Sequence, residues 1–586
     1  MSKAEDTDRE MSFAKGLFQG EILEDVLFPY PELTSEEKEQ VRLVTDALQG
    51  FSKNIDWRKH DEDGAMPDGL LEKYGELGLF GFLVPEEYGG LGFNSKCYAK
   101  MCEEVAKIDG SLAVTMGAHS SIGFKGLTLF GTPEQKAKYY PKIATGEMIA
   151  CFALTEPGSG SDAGSIKTKA VLSDDGKHFI LNGQKLWITN AKFAKFMTVF
   201  AKTDEKDSKG NPKEKVTAFI LELPAEGVTI GPPEHKMGIR SSATSAVYFE
   251  NVKIPVENIL GKRGQGFKVA MEILNNGRSG LAAGNTGGAK MLIGLAIEHA
   301  KQRKQFRKNL SEYGIIKSKI GKMIVDCFVA ESMAYMTAGL TDNKAKGIDY
   351  SLESAISKVF ASETVWKVVD ETLQIHGGMG YMRECKVERV MRDARINMIF
   401  EGTNEILRLF IALSGLQGPG QELAEVAKAL REPLKQMGVI SDYAVKTIKL
   451  NVIGAKLNRT HAYLKREAGI FEDYVAEFAL QCSKLLQRHG KHITEKQFAL
   501  KRVADIAIDL YAMSCLLSRV TSILDKNGGD AKACEQELAI TYSFFTRANR
   551  RIRGNFKAID RNDDDQIKAI TAHAFEKGSY TWDITA

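Results

Sequence analysis

His178-Phe-Ile-Leu-Asn-Gly-Gln-Lys-Leu-Trp-Ile-Thr189 interrupts a chain whose apolar residues otherwise recur at helical spacing. Three nearby runs share its aromatic and β-branched character: Phe196-Met-Thr-Val-Phe-Ala201, Val216-Thr-Ala-Phe-Ile-Leu-Glu-Leu223 and Ala246-Val-Tyr-Phe249. Side chains of this kind suit a pleated, half-buried surface. Asp175-Gly176 and Asn182-Gly183 are dipeptides that favour tight turns between strands. The reading is a small antiparallel β domain over residues 151–262, set between helical regions.

Upstream, residues 46–150 read as a helical domain preceded by an extension over 1–45; Ser35-Glu-Glu-Lys38 is a capped helix start, and Gly69–Leu79 carries apolar residues at helical spacing. Downstream, 263–415 reads as a helical bundle, with long segments at Gly287–Arg303, Lys317–Leu340 and Ser351–Ile375. Gly415-Leu-Gln-Gly-Pro-Gly420 has the composition of a linker, assigned to 416–440. An additional helical domain follows over 441–586, most regular at Phe498–Leu524. The fold class is therefore α+β, in the order helical, β, helical, helical.

With 586 residues the chain exceeds one core, since domains average about 150 residues. Net charge is +3, which gives no concentrated basic face for nucleic acid. Eight cysteines are scattered without a Cys-x-x-Cys pair, and the ten histidines form no His-Glu-x-x-His, so no metal centre is expected. The first residues, Met-Ser-Lys-Ala-Glu-Asp, are polar and acidic rather than leader-like, so a cytoplasmic setting is expected. No run approaches 18 uninterrupted apolar residues.

Chemistry concentrates near the end of the third region. Ile396-Asn-Met-Ile-Phe-Glu-Gly-Thr-Asn-Glu-Ile-Leu-Arg-Leu409 places one carboxylate, Glu401, in an apolar run directly before a glycine. A desolvated carboxylate holds its proton more tightly than one in water and suits work as a general base toward a carbon acid. Gln374-Ile-His-Gly-Gly-Met-Gly-Tyr381 is a glycine turn that lets backbone approach a phosphate closely.

Two long patterns give these features a context. One is Ala153-Leu-Thr-Glu-Pro-Gly-Ser-Gly-Ser-Asp-Ala-Gly-Ser165; the other runs from Gln374 through Gly377, Gly378, Gly380, Tyr381, Glu384 and Arg389 to Asp393. Together they resemble the two signatures of the acyl-CoA dehydrogenase family. Ser12-Phe-Ala-Lys-Gly-Leu-Phe18, Gly117-Ala-His-Ser-Ser-Ile-Gly-Phe-Lys-Gly126 and Phe498–Met513 extend the resemblance to its very-long-chain branch.

The resemblance implies FAD as cofactor, with Phe152, Leu154, Thr155, Gly160, Ser161, Trp187, Ile188 and Thr189 around the flavin. It implies that Arg303, Phe306, Gln374, Gly377 and Gly378 meet the FAD of a neighbouring subunit, and that Thr403, Asn404 and Glu405 belong to the cofactor site. Phe152 and Gly314 depart from residues frequent in relatives. Glu401 matches the catalytic base; in some relatives the base comes from another helix, near position 278, where this chain has Gly277. Ser161, Phe400 and Gly402 are implied at the substrate. Asn275 and Arg278 are implied at the CoA-end cavity, although Arg278 also suits an internal ion pair. Gly123 and Gly126 are expected to leave the far end of an acyl channel open.

The implied reaction removes the α-proton of a long-chain fatty acyl-CoA on Glu401 while the β-hydrogen leaves as hydride, giving trans-2-enoyl-CoA in fatty acid β-oxidation. The thioester oxygen would lie between the Glu401 backbone N–H and a flavin ribityl hydroxyl. Electrons would pass to an electron-transferring flavoprotein, and a homodimer is expected. Residues 431–470 hold eight Lys or Arg against three Asp or Glu, so 440–466 suits a basic amphipathic helix on a membrane surface, or equally a solvated face. An oxidase using oxygen, and an assembly or scaffold protein on the same fold, remain open beside the dehydrogenase.

Overall fold

A computed structural model of the chain describes residues 11–343, 347–429, 439, 441, 442, 445 and 454–584. It divides into two compact units: residues up to Ser12 with Pro29–Ile406, and Phe13–Phe28 with Leu407–Ala586.

In the first unit the N-terminal helices begin where the sequence places strong caps. Thr34 and Glu37 form a reciprocal capping box at the head of Ser35–Ser52, and Thr132 with Gln135 does the same for Pro133–Ala144. Between them Ser95–Ile108 packs on the long helix Gly266–Gln302, which also meets Gly314–Asp342 and Ser351–His376. Small side chains line this bundle, among them Ala99, Ala282, Ala283, Ala334 and Ala338. At the tightest crossing a Cβ on Gly287 would stand 2.1 Å from the Glu103 carbonyl oxygen, so only glycine fits. Buried Glu103 binds Lys100 and Lys290, each at 2.8 Å; burial raises its pKa, but the two ammonium groups outweigh that and bring it to about 2.

The β domain holds seven strands: β1 (Ile149–Ala153), β2 (Lys169–Leu172), β3 (His178–Thr189), β4 (Ala194–Lys206), β5 (Pro212–Glu222), β6 (Val228–Pro233) and β7 (Thr244–Pro255). β2·β3, β3·β7, β6·β7 and β4·β5 are antiparallel, but β1 and β2 each pair with β4 in parallel, so the sheet is mixed rather than wholly antiparallel. Asp175-Gly176 does form the turn between β2 and β3. Asn182-Gly183 does not. It lies inside β3 at a shift of register, where Asn182 Oδ1 accepts from Asn251 N at 2.8 Å. The glycine is needed there for close approach, since a Cβ would meet Thr168 Oγ1 at 2.6 Å.

The end of the second signature ties three regions together. Asp393 accepts a hydrogen bond from Ile239 N, and its carboxylate sits against Gly110. Arg389 pairs with Asp109 at 3.6 Å, while Arg392 pairs with Asp61 at 2.6 Å. Burial, reinforced by the Asp109 charge, raises the Asp393 pKa to about 7. A carboxyl raised in this way stabilises the fold fully below its unfolded pKa and progressively less as pH rises through 7. Asp393→Asn is therefore expected to raise the melting temperature at pH 8.5 while changing little at pH 5; a uniform drop at both would refute this account.

In the second unit the expected linker is helical over 416–429, and most of 430–440 lies outside the described residues. Asn404–Ala429 is one helix running through 415–420, with Pro419 inside it. Gly415 and Gly418 serve close packing, since a Cβ would stand 2.3 Å from the Phe18 ring and 2.1 Å from Gln19 Nε2. The expected extension over 1–45 is likewise divided. Residues 35–45 are helical, and Phe13–Phe28 packs into the second unit, with Phe18 against Phe478 at 4.8 Å and Ser518 Oγ donating to Leu27 O at 2.5 Å. Much of 440–453 lies outside the described residues. The described stretch 454–461 is not helical, which corrects that end of the expected amphipathic helix; Leu457 is buried and Arg459 pairs with Asp25. Gly314–Asp342 and Gln497–Lys526 are long and apolar enough to cross a membrane, but their most apolar stretches are 78% and 83% buried inside the protein.

Candidate active site

Glu401 lies in the turn between Arg395–Met398 and the helix Asn404–Ala429. Both Glu401 (φ 55°) and Gly402 (φ 92°) are left-handed, a conformation that costs a non-glycine residue about 1–2 kcal/mol. Thr403 caps the following helix, its hydroxyl accepting from Ile406 N at 3.3 Å. Two buried cations secure the turn from behind. Arg278 Nε donates to Glu401 O at 3.1 Å and its Nη1 to Asn275 Oδ1 at 2.8 Å. Lys358 Nζ donates to Gly402 O and to Asn404 Oδ1, both at 2.9 Å.

One oxygen of the carboxylate has no such partner: Glu401 Oε2 is buried with no hydrogen bond among the described residues. Burial raises its pKa to about 7 against the opposing pull of Arg278 and Lys358. Burial also lowers Lys358 to about 8 and Arg278 to about 10, with Glu401 opposing the fall in each case. A Cβ on Gly277 would lie 3.3 Å from Glu401 Oε1, so a side chain at 277 would compete for the space the carboxylate occupies. This arrangement can do one thing well: accept a proton from a weak carbon acid near neutral pH.

Several expected site residues have other work. Arg278 and Asn275 are bonded to each other, and Arg278 holds the Glu401 backbone. Asn404 commits its side chain to Lys358, Ser362 and Glu363, whereas Glu405 is exposed. Neither Gly123 nor Gly126 faces open space at its Cβ position. A Cβ on Gly123 would meet Ala118 O at 2.5 Å, and one on Gly126 would meet Leu260 Cδ2 at 2.5 Å. Both are close-packing positions.

A second set of expected residues does converge. The loop after β1 lies beside the end of β3: Leu186 N donates to Thr155 O at 2.9 Å, and buried Lys185 Nζ reaches Leu154 O at 3.0 Å and Glu156 Oε1 at 2.7 Å. Glu156 also accepts from the backbone of Lys167 and Thr168, so this pair fixes the shape of the loop. On that support Trp187 turns left-handed (φ 58°) and leaves its indole 61% exposed, with Gly160 and Ser161 also exposed. Ile188 is buried in the sheet, Thr189 approaches Thr244, and Phe152 leans on Phe200 at 5.0 Å. Phe400 and Gly402 are half-buried beside the base.

The third set forms a surface. His299 stacks on His376 at 4.2 Å, drawing together the ends of their helices and hence Arg303, Gln374, Gly377 and Gly378. Phe306 beside them is 89% exposed, and Met379, Tyr381 and Met382 are exposed too. Lys358, Lys185 and the histidine pair were not singled out from sequence. Lys358 left a signal, as a lone charge among the small residues of Ser354-Ala-Ile-Ser-Lys-Val.

These sites define a dehydrogenase-like enzyme built around a buried base, and the chain belongs to the acyl-CoA dehydrogenase family. It matches the family's N-terminal domain over 35–147, middle domain over 151–252 and C-terminal domain over 264–416. Residues 462–580 match the ACAD9/ACADV C-terminal domain. The chain is 45% identical to the very long-chain specific acyl-CoA dehydrogenase, mitochondrial, of Rattus norvegicus, covering 95% of this chain and 85% of that one. An acyl-CoA dehydrogenase from Bacillus anthracis, solved in complex with FAD, aligns with TM-score 0.77 and 34% identity over 93% of this chain and 91% of its own. Butyryl-CoA dehydrogenase from Megasphaera elsdenii aligns with TM-score 0.61 and 37% identity, covering 66% of this chain but 99% of its own.

Proposed function

We propose that this chain is an FAD-dependent dehydrogenase that desaturates long-chain fatty acyl-CoA to trans-2-enoyl-CoA in fatty acid β-oxidation. The observation that carries it is the buried, unpartnered Oε2 of Glu401, its pKa raised to about 7. At neutral pH a substantial fraction of this group is ionised, yet it is basic enough to take an α-proton. The left-handed turn holds it, and Arg278 and Lys358 keep the turn in place.

The shelf made by Trp187, Leu154, Thr155, Gly160, Ser161 and Thr189 fits an isoalloxazine: a flat aromatic face, exposed backbone and hydroxyls at its rim. FAD supplies the hydride acceptor there. The Glu401 N–H donates to the thioester oxygen, stabilising enolate charge as the proton leaves. Family membership and the rat relative's name support acyl-CoA as substrate, and the additional C-terminal domain supports a long acyl chain.

Electron-transferring flavoprotein is the proposed electron acceptor, and a homodimer the proposed assembly. The exposed Phe306, Met379, Tyr381 and Met382 around Arg303 and Gly377–Gly378 support a second copy whose FAD meets this surface. Peripheral contact with an anionic bilayer through 440–466 rests on local charge alone. The test is anaerobic mixing of the flavin-loaded protein with acyl-CoAs of graded length. Bleaching of the flavin that is strongest with long chains is expected, with little oxygen uptake unless a carrier flavoprotein is added. An unbleached flavin overturns the reading, and fast oxygen uptake alone would mark an oxidase.

A further inference from the structure

Ala150 stands two residues before Phe152 in β1, the strand at one end of the sheet. The backbone groups on the outer side of such a strand have no ladder partner and need another. At Ala150 side chains supply both. Its N–H donates to His119 Nδ1 at 2.9 Å, and its carbonyl accepts from Asn190 Nδ2 at 3.2 Å.

Both side chains are fully buried and fixed in turn. Because His119 Nδ1 accepts, the ring proton lies on Nε2, which donates to Phe80 O at 3.1 Å. Burial lowers the His119 pKa to about 4, so the ring stays neutral. Asn190 directly follows Thr189 and is left-handed (φ 68°), a conformation asparagine tolerates better than most residues. Its N–H donates to Ala243 O at 2.7 Å, and Nδ2 also reaches Thr115 O at 2.9 Å. His119 belongs to a π-turn, Ala118–Gly123, closed by Phe124 N donating to His119 O at 3.1 Å. Such turns are rare and frequent at functional sites. This one borders the base: a Cβ on Gly277 would meet Ile122 Cγ2 at 2.9 Å and Glu401 Oε1 at 3.3 Å.

We propose that His119 and Asn190 are positioning residues of the flavin site. By gripping Ala150 from both sides they hold two pieces of the shelf in one register, against the π-turn beside the base. Phe152, Leu154 and Thr155 follow the gripped residue along the chain, and Trp187, Ile188 and Thr189 lead directly into Asn190. Both residues act through the shelf rather than on the reacting atoms. That role rests on the shelf holding an isoalloxazine, as proposed above.

The test compares flavin-loaded variants as purified. His119→Asn puts an amide oxygen where Nδ1 stood and keeps the acceptor for Ala150 N–H. His119→Gln puts its amide near Nε2, keeping the bond to Phe80 O and losing the one to Ala150. Both lose the buried ring, so both should lower the melting temperature to a similar degree. Release of FAD on dilution, read as a rise in flavin fluorescence, should separate them. His119→Gln is expected to release FAD about tenfold faster than wild type, the scale of one hydrogen bond, and His119→Asn within about twofold of wild type. Asn190→Gly loses the amide without straining a left-handed backbone and should release FAD as His119→Gln does. Equal release from the two His119 variants overturns the brace, as does wild-type release from Asn190→Gly. Release that simply follows melting temperature across the three variants overturns it too, leaving both residues a role in stability alone. A wild-type protein that holds no flavin overturns the function proposed above, and this role with it.

Discussion

Glu401→Gln is expected to slow reduction of the bound flavin by about 10⁴-fold, the upper end of what a positioned proton-transfer group contributes. The amide matches the carboxyl in shape and leaves the Arg278 and Lys358 contacts to the turn backbone intact, so the fold and flavin content should survive. The neighbouring position on the adjoining helix, 277, is glycine and carries no carboxylate to substitute. Rapid mixing with a saturated acyl-CoA under anaerobic conditions measures the effect. Reduction at the unmodified rate would remove Glu401 from the mechanism.

Lys358→Met should produce the second largest change, and by a different route. Methionine fills much of the volume but leaves Gly402 O and Asn404 Oδ1 without their ammonium donor; an unsatisfied buried acceptor costs roughly 1–3 kcal/mol. The lost cation had also opposed the rise in the Glu401 pKa. Without it that pKa moves above about 7, so less base is ionised at neutral pH and the acid limb of the kcat/KM profile shifts to higher pH. A pH profile with melting curves checks both parts. A lower melting temperature with an unmoved acid limb would mean that Lys358 holds the turn but does not tune the base.

The order of domains and the place of the base were legible because both are local. Strand runs such as Phe196–Ala201 carry their own composition, and Glu401 stands out against an apolar lead-in. What escaped was set by partners distant in sequence. Gly415–Gly420 has linker composition yet is helical, because Phe18 and Gln19 press on glycines nearly 400 residues away. Asn182-Gly183 has hairpin chemistry, but Thr168 and Asn251 decide its conformation. Gly123 and Gly126 read as free volume, while Ala150, Leu260 and Ile273 stand where a Cβ at either position would go. Arg278 reads as a lining of the CoA-end cavity or an internal ion-pair partner with equal ease; its bond to the Glu401 carbonyl, a partner 123 positions away, is not written in the local sequence.

Phe13–Phe28 is synthesised long before its packing partners. Leu27 and the Ser518 hydroxyl that binds it are 491 positions apart. At translation rates of roughly 5–20 residues per second, the apolar side chains of Phe13, Leu17 and Phe18 wait about 25–100 s for their partners. During that interval they are exposed ligands for chaperones, and the helices of the second unit cannot complete their core until both of its segments have been made.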